Sequence, residues 1–261
     1  MPHAEVNGQR LFYEDTGDGE TAVVFSHGFL MDHSMFDAQV EALRHDFRCI
    51  AWDERGHGGT ESTSDEFSYW DSASDVIGLL DALGIERAVL AGMSQGGFLS
   101  MRAALASPDR VRGLVLIDTQ AGTEDPEKLP GYDQLVEAWV APGGPPQEVL
   151  DTVTGIIIGP GYEDTPAWHE KWREVGEERM RQTYATLTSR DEIWDRLGEI
   201  NAPTLVIHGE QDIAIELPIA QRLADGIEGA DLVVVPGAGH AANMTHPEAV
   251  NPPLRRFLES V

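Results

Sequence analysis

Six short apolar runs recur along the chain, and segments with helical periodicity separate them. Each run has four or five residues, nearly all apolar and many β-branched; the runs lie at 22–25, 49–52, 88–91, 113–117, 204–207 and 232–235. Uninterrupted apolar stretches of this length are typical of strands that are buried on both faces of a parallel sheet. The pattern therefore predicts a largely parallel sheet at the centre of the fold.

The segments between the runs predict helices. Apolar residues recur at helical spacing from Val76 to Leu83, and Gly84 follows in the position of a helix C-cap. Further helices are predicted at 98–105 and 247–258, and an antiparallel edge hairpin around 11–13. Strands that alternate with helices form right-handed βαβ units. We therefore predict an α/β three-layer sandwich with a mostly parallel, eight-stranded sheet.

This alternation stops between residues 121 and 200. Strand-like runs almost vanish there, with 156–158 as the exception, and helical stretches such as 169–186 take their place. The segment carries four of the six tryptophans, including Trp139 and Trp168. We predict a core domain made of 1–120 and 201–261, with a helical lid inserted at 121–200. Trp139 and Trp168 are candidates for facing a substrate pocket beneath this lid.

The charge of the chain argues against two classes of binding partner, and its cysteine content excludes a disulfide and some metal sites. The 261 residues include 45 acidic and 18 basic side chains, for a net charge of −27. Nucleic acids and anionic membranes bind basic patches, so neither is an expected partner. The single cysteine, Cys49, excludes an internal disulfide and a cysteine-based zinc or iron–sulfur cluster within one chain.

The chain also lacks the usual sequence signals for export or membrane insertion. No apolar run approaches the roughly 18–20 residues that span a bilayer. The first residues have neither the basic nor the apolar region of a secretory signal. Together with the single cysteine, these features predict a cytoplasmic protein.

The motif Gly92-Met93-Ser94-Gln95-Gly96 places a serine between a predicted strand and a predicted helix. G-x-S-x-G in this context is the nucleophile elbow, whose sharp turn leaves room only for small residues two positions either side of the serine. Ser94 then projects from the carboxyl edge of the sheet, where open α/β folds bind ligands. Ser94 is therefore the candidate nucleophile.

A nucleophilic serine needs a base and an acid that orients the base. His240 follows the last apolar run, and glycines just before it allow its loop to bend back to the sheet edge. Asp212 follows the fifth run. We predict a catalytic triad of Ser94, Asp212 and His240. Two other acids remain alternatives to Asp212, namely Asp118 after the fourth run and Glu210 in the same loop as Asp212.

A loop after the first apolar run is expected to face the serine. Gly28 in this loop lets the backbone come close to a substrate. The backbone N–H groups of Phe29 and of Gln95 are the predicted oxyanion hole. His27 and Met93 are further candidates for the pocket wall.

A third loop, residues 53–58, carries an aspartate, a glutamate, an arginine and a histidine. These side chains look catalytic in isolation. We predict a structural role for them instead, with an ion pair from Arg55 and a glycine-shaped turn that hold the neighbouring loop.

With these motifs the chain resembles the serine α/β-hydrolases, in particular the lid-bearing esterases and lactonases. The resemblance rests on 27–29, 53–58 and 92–97 together with Asp212 and His240. The stretch from 107 to 118 is also similar to that of enol-lactonases and cofactor-free perhydrolases. The resemblance covers about residues 10–120 and 200–260. It implies a triad with no cofactor and no metal, and it leaves the substrate open because this fold hosts many reactions.

Hydrolysis of an ester or a lactone is the expected function. Dehalogenases and soluble epoxide hydrolases of this fold use aspartate at the elbow, and a hydroxynitrile lyase needs a pocket lysine. Both lysines of the chain, Lys128 and Lys171, lie in the predicted lid. Acyl transfer or peracid formation, and carbon–carbon bond hydrolysis by the same triad, remain alternatives. A ligand receptor without enzymatic activity is a further alternative function.

The charge of the lid favours a neutral substrate. Residues 121–199 hold 17 acidic and seven basic side chains. Such a field slows the approach of an anion, such as the carboxylate-bearing enol-lactones of one similar group. Arg173, Arg179 and Arg181 are expected to pair with neighbouring glutamates. We expect a neutral, fairly apolar small-molecule ester or lactone, and a monomer or homodimer.

Overall fold

The computed structural model describes residues 2–61, 63–159 and 162–261. Within these ranges the strands are β1 (His3–Val6), β2 (Gln9–Asp15), β3 (Ala22–Ser26), β4 (Arg48–Trp52), β5 (Ala88–Met93), β6 (Val111–Ile117), β7 (Thr204–Gly209) and β8 (Asp231–Val235). The α-helices are α1 (Asp37–Leu43), α2 (Tyr69–Ala82), α3 (Gln95–Ala106), α4 (Leu129–Trp139), α5 (Gln147–Ile157), α6 (Thr165–Arg173), α7 (Glu177–Ser189), α8 (Leu217–Gly226), α9 (Ala242–Thr245) and α10 (Pro247–Ser260). Four residues of the predicted core and lid lie outside the described residues, namely Met1, Ser62, Pro160 and Gly161.

The strands form one eight-stranded sheet in the order β1-β2-β4-β3-β5-β6-β7-β8. β1 and β2 make the predicted antiparallel hairpin, and β2 pairs with β4 in the antiparallel sense. Every later pair of neighbours is parallel. The predicted mostly parallel sheet is confirmed, and its parallel strands all end at the same edge.

Helices cover both faces of the sheet. Side chains alternate between the two faces along a strand, so Val23 and Phe25 of β3 belong to one apolar cluster and Val24 to the other. Helices α1 and α10 contribute to the first cluster, and α2, α3 and α8 to the second. The predicted three-layer sandwich is confirmed.

The last strand differs from the prediction of burial on both faces. β8 lies at the edge of the sheet, and only its final residue, Val235, is fully buried. Val234 is 38% exposed. An apolar run thus marks the strand correctly, but its place in the strand order decides how much of it is covered.

The stretch between β6 and β7 is helical. Helices α4 to α7 lie here, and we call these four helices the cap; the described residues of this stretch include no strand. The strand-like run at 156–158 forms the C-terminal end of α5 instead of a strand. The predicted helical stretch 169–186 is interrupted before Gly176 and forms two helices, α6 and α7. Apolar cap residues join the first core cluster, for example Val136, Trp139 and Met180. The division of the chain into a core and a separate lid stays a prediction.

The helices are short. The longest, α2 and α10, have 14 residues each. A bilayer requires about 20 apolar residues in a helix. Among the described residues, no helix has the length and the apolar character to cross a membrane.

Candidate active site

Ser94 occupies a sharp turn between β5 and α3. Its backbone has φ 50° and ψ −115°, a strained conformation for a residue with a side chain. The turn is possible only because its neighbours lack a Cβ atom. A Cβ on Gly92 would lie 2.1 Å from the Gly96 carbonyl oxygen, and one on Gly96 would lie 1.9 Å from the Ser26 carbonyl oxygen. These contacts explain the spacing of the G-x-S-x-G motif.

The structure brings the three predicted triad residues together. Ser94 follows β5, Asp212 follows β7, and His240 follows β8, so all three lie at the carboxyl edge of the sheet. His240 Nε2 is 3.0 Å from Ser94 Oγ, and His240 Nδ1 is 2.8 Å from Asp212 Oδ2. A carboxylate accepts hydrogen bonds, so Nδ1 carries the proton and Nε2 is free to accept the proton of the serine hydroxyl.

Burial and charge shift the pKa values of His240 and Asp212 in opposite directions. Burial by itself lowers the pKa of His240, but the charge and hydrogen bond of Asp212 outweigh it and raise that pKa above its usual value. Burial by itself raises the pKa of Asp212, but the interactions with His240 and the N–H of Ile215 lower it. Asp212 is therefore ionised beside a strengthened base.

Neither alternative acid contacts His240 in the described structure. Asp118 accepts backbone N–H bonds on both oxygens, from Gly209 at 2.7 Å and from Ala242 at 2.9 Å. Burial and the nearby charge of Asp212 raise the pKa of Asp118 to about 8. The exposed Glu210 accepts from the N–H of Gly237. The geometry therefore selects Asp212, which sequence position alone left open.

The backbone N–H groups of the two residues predicted to form the oxyanion hole, Phe29 and Gln95, have no acceptor among the described residues. Gln95 is the first residue of α3, where helix N–H groups have no partner within the helix. The N–H of Phe29 also has no acceptor among the described residues. Gly28 is packed so closely that a Cβ would lie 2.6 Å from Met93 Sδ. Their role as an oxyanion hole stays a prediction.

The cavity beside Ser94 lies between the sheet edge and the cap. The volume that the centre of a water molecule can occupy in this cavity is about 100 Å³. Of the predicted wall residues, Met93 and Trp139 line this cavity, as does Phe29. The rest of its described lining is mainly aliphatic and aromatic and comes largely from α4, α5 and α7.

Two predicted wall residues lie elsewhere. Trp168 is buried within the cap, where Lys171 Nζ lies 4.3 Å from its ring centroid. His27 connects two loops, because its Nδ1 donates to the carbonyl of Gly28 at 2.8 Å and its Nε2 accepts from the N–H of Glu54 at 3.0 Å. Neither belongs to the cavity lining. No residue of α6 is among the described lining residues, and the sequence alone did not show which cap helices reach the cavity.

The loop at 53–58 has the structural contacts expected of it. Arg55 forms an ion pair with the buried Asp75. Glu54 accepts a hydrogen bond from the side chain of Gln95 at 2.5 Å, and burial raises the pKa of Glu54 to about 8. This contact beside the elbow was not predicted, since nothing in the motif marks it.

One set of buried groups could share a metal ion. Ligand atoms of Asp118, His208 and Asp212 lie within 4.8 Å of one another. His208 Nε2 donates to the Ile215 carbonyl at 2.8 Å, and Asp212 Oδ2 is bonded to His240. A cation at this place would compete with His240 for Asp212.

Comparisons with known proteins agree with this architecture. The model of the alpha/beta hydrolase family matches residues 23–252. A non-heme chloroperoxidase of Streptomyces lividans is 30% identical, over 97% of this chain and 98% of its own. Two solved structures are also similar to the whole chain. A thermophilic esterase from Thermogutta terrifontis has a TM-score of 0.89 and 27% identity, and covers 100% of this chain and 99% of its own.

The second is the enol-lactonase from Burkholderia xenovorans LB400, with a TM-score of 0.88 and 27% identity, covering 99% of this chain and 100% of its own. The family match spans both the elbow and the histidine that bonds to Ser94. On this evidence, the chain belongs to the alpha/beta hydrolase family.

Proposed function

We propose that the protein hydrolyses neutral, apolar carboxylic esters or lactones through an acyl-enzyme on Ser94. One observation carries the proposal. A continuous chain of hydrogen bonds runs from Asp212 through His240 to Ser94, at a cavity whose described lining is mostly apolar. This is the arrangement that activates a serine for attack on a carbonyl carbon.

In the first step, Ser94 Oγ attacks the carbonyl carbon and its proton passes to His240 Nε2. Asp212 stabilises the imidazolium that forms. The negative charge on the carbonyl oxygen is taken up by the N–H groups of Phe29 and Gln95, each worth about 3 kcal/mol in such a hole. His240 then gives its proton to the leaving alkoxide.

In the second step, water replaces the alcohol. His240 removes a proton from the water as the water attacks the acyl carbon. The bond from that carbon to Ser94 Oγ then breaks, His240 returns the proton to Oγ, and the acid is released. For a lactone the alcohol and the acid are one molecule, so the product is a hydroxy acid.

The lining supports a neutral substrate. No lysine or arginine is among the described residues that line the cavity. Of the three arginines considered above, Arg173 and Arg181 form exposed ion pairs with glutamates. The expectation for Arg179 was wrong, because it donates to the carbonyl oxygens of Gly58 and Thr60 instead. A substrate carboxylate would therefore enter an apolar space without a cation to pair with.

The direct test is hydrolysis of p-nitrophenyl esters of graded acyl length and of lactones of graded ring size. We expect turnover of neutral members, with a preference for acyl groups long enough to reach the cap. A fluorophosphonate probe should add once to the chain, on the peptide that contains Ser94, and not to the Ser94→Ala variant. Failure to hydrolyse any member of the panel, or labelling at another residue, would contradict the proposal.

A further inference from the structure

The cavity beside Ser94 has a small polar patch in its cap-side wall. Apart from Ser94 and His240, three polar side chains are among the described lining residues: Glu124, Tyr132 and Tyr184. The hydroxyl of Tyr184 is engaged, because it donates to Asp133 Oδ1 at 2.7 Å. Glu124 and Tyr132 are therefore the groups that can still meet a ligand.

Glu124 is held in place by a buried arginine. Arg190 Nη1 donates to Glu124 Oε1 at 2.6 Å, and the two side chains are 1% and 13% exposed, respectively. Arg190 is itself fixed by the carbonyls of Gly122 and Leu187 at 2.8 and 2.7 Å. Its guanidinium also lies 4.2 Å from the ring centroid of Phe98, which lines the cavity. The carboxyl group of Glu124 is thus paired with a guanidinium and held in position before any ligand arrives.

One oxygen of this carboxylate is unused. Glu124 Oε2 accepts no hydrogen bond from the described residues, and the hydroxyl of Tyr132 has no hydrogen-bond partner among them either. Both side chains are partly buried, so a ligand that displaces solvent from them must supply hydrogen bonds in its place. An oxygen that can only accept, in the same cavity lining as a hydroxyl that can donate or accept, suits a group that brings a hydrogen.

The charge balance limits what that group can be. Arg190 already neutralises Glu124 and does not itself line the cavity. Because the pair carries no net charge, it attracts a substrate cation only weakly, and its free oxygen, which can only accept, cannot bond to a substrate carboxylate.

We propose that Glu124 and Tyr132 form a polar subsite that binds a neutral hydrogen-bond donor of the substrate, a hydroxyl or an amide N–H. This rests on the proposed function of Ser94 and deepens it. The substrate class becomes a neutral ester or lactone with an apolar portion along α4, α5 and α7 and one O–H or N–H group that is directed to Glu124.

Matched substrates test this subsite. Ethyl esters of six-carbon acids are prepared with a hydroxyl at carbon 2, 3, 4 or 5, each with its methoxy counterpart, together with a lactone that carries an amide N–H and its N-methyl form. We expect the wild-type protein to prefer the donor form about tenfold or more in kcat/KM for at least one pair, the size expected when a hydrogen bond to a charged group is lost.

Variants then show which residues cause the preference for the donor form of the substrate. Glu124→Gln should reduce the donor preference to near unity. The preference is the ratio of kcat/KM for the two members of a pair, so a change in rate that is common to both members cancels. Tyr132→Phe should reduce the preference in part. The matched control is Glu137→Gln, since Glu137 is an exposed cap glutamate that also pairs with an arginine, Arg181, and does not line the cavity. It should leave the preference unchanged.

The outcomes are separable. Equal kcat/KM for both members of every pair in the wild type overturns the subsite while leaving the hydrolase proposal intact. Equal losses on both substrates in Glu124→Gln show a structural role only and also overturn it. Preference for an ammonium-bearing ester over the hydroxyl ester overturns the neutral donor. If Glu124→Gln does not fold, Glu124→Asp keeps the charge beside Arg190 and should still weaken the preference.

Discussion

At the scale of single residues, the side chain of Ser94 makes one hydrogen bond in the described part of the chain, to His240. Replacing Ser94 by alanine removes the nucleophile and leaves both core clusters untouched. We expect Ser94→Ala to lower kcat by on the order of 10⁶-fold with an unchanged melting temperature. Steady-state rates and thermal unfolding measure the two effects. Residual activity above one hundredth of wild type in a pure preparation would contradict the serine mechanism.

Two aspartates near His240 make different contacts, so their variants should behave differently. Asp212→Asn removes the acceptor that orients His240 and should lower kcat by about 10⁴-fold. Asp118→Asn should lower kcat far less, because Asp118 bonds to the backbone of Gly209 and Ala242 rather than to His240. It should instead lower the melting temperature, since one of those N–H groups then faces an amide donor. The reverse ranking of the two kcat values would show that the acid is misassigned.

The pH profile should report the environment of His240. Attack by Ser94 needs neutral His240, so kcat/KM falls as the pH drops through the pKa of this histidine. The charge and hydrogen bond of Asp212 raise that pKa, so we expect the midpoint of the acid limb to lie above the usual value of 6.5. In Asp212→Asn the midpoint of the residual activity should move down. A wild-type midpoint below the usual value would rule out this account.

At the scale of elements, helix α6 is bonded to the loop that carries Phe29. Trp172 Nε1 donates to the carbonyl of Leu30 at 2.8 Å, and Leu30 itself has a positive φ of 63°. Lys171 Nζ lies 2.7 Å from both Asp32 Oδ2 and Ser34 Oγ in the same loop. The cap therefore holds the backbone from which the predicted oxyanion donor points.

This contact predicts an effect of the cap on the chemical step. Trp172→Phe removes the indole N–H and keeps an aromatic ring, so we expect kcat to fall about tenfold with KM little changed, less than the loss of a whole oxyanion donor. Trp168→Phe on the same helix is the control, because the indole N–H of Trp168 has no hydrogen bond among the described residues. An equal fall in kcat for both variants would indicate general loosening of α6 instead.

At the scale of the whole molecule, the net charge of −27 acts on any charged substrate that approaches. This field opposes anions and has no effect on neutral molecules, and salt weakens it because the screening length is about 10 Å at 0.1 M. We expect a neutral lactone to be hydrolysed faster than the same lactone bearing a carboxylate, and the difference in kcat/KM to narrow with salt. A carboxylate form preferred tenfold or more at low and moderate salt would restore a substrate of the enol-lactone type.

The alternation of strands and helices in the core, and the place of the candidate site at the carboxyl edge of the sheet, were predicted from the sequence alone. Continuous apolar runs mark strands of a parallel sheet, and parallel strands share a carboxyl edge, so Ser94, His240 and an acid after a later strand had to approach one another. The elbow was equally visible, because its turn depends on glycines within a few residues of Ser94. These are local properties, and local sequence determines them.

Only the tertiary structure decided between Asp212 and Asp118, and only it showed which cap residues reach the cavity. Both aspartates follow strands at the same edge, and the choice depends on how loops from β6, β7 and β8 pack against one another. The cap residues Trp139 and Trp168 look alike in sequence, yet one lines the cavity and the other packs against Lys171. Glu124 had no motif at all, since its position depends on Arg190, which lies 66 residues further along the chain. Contacts between distant segments arise from packing, and no periodicity or spacing in the sequence encodes them.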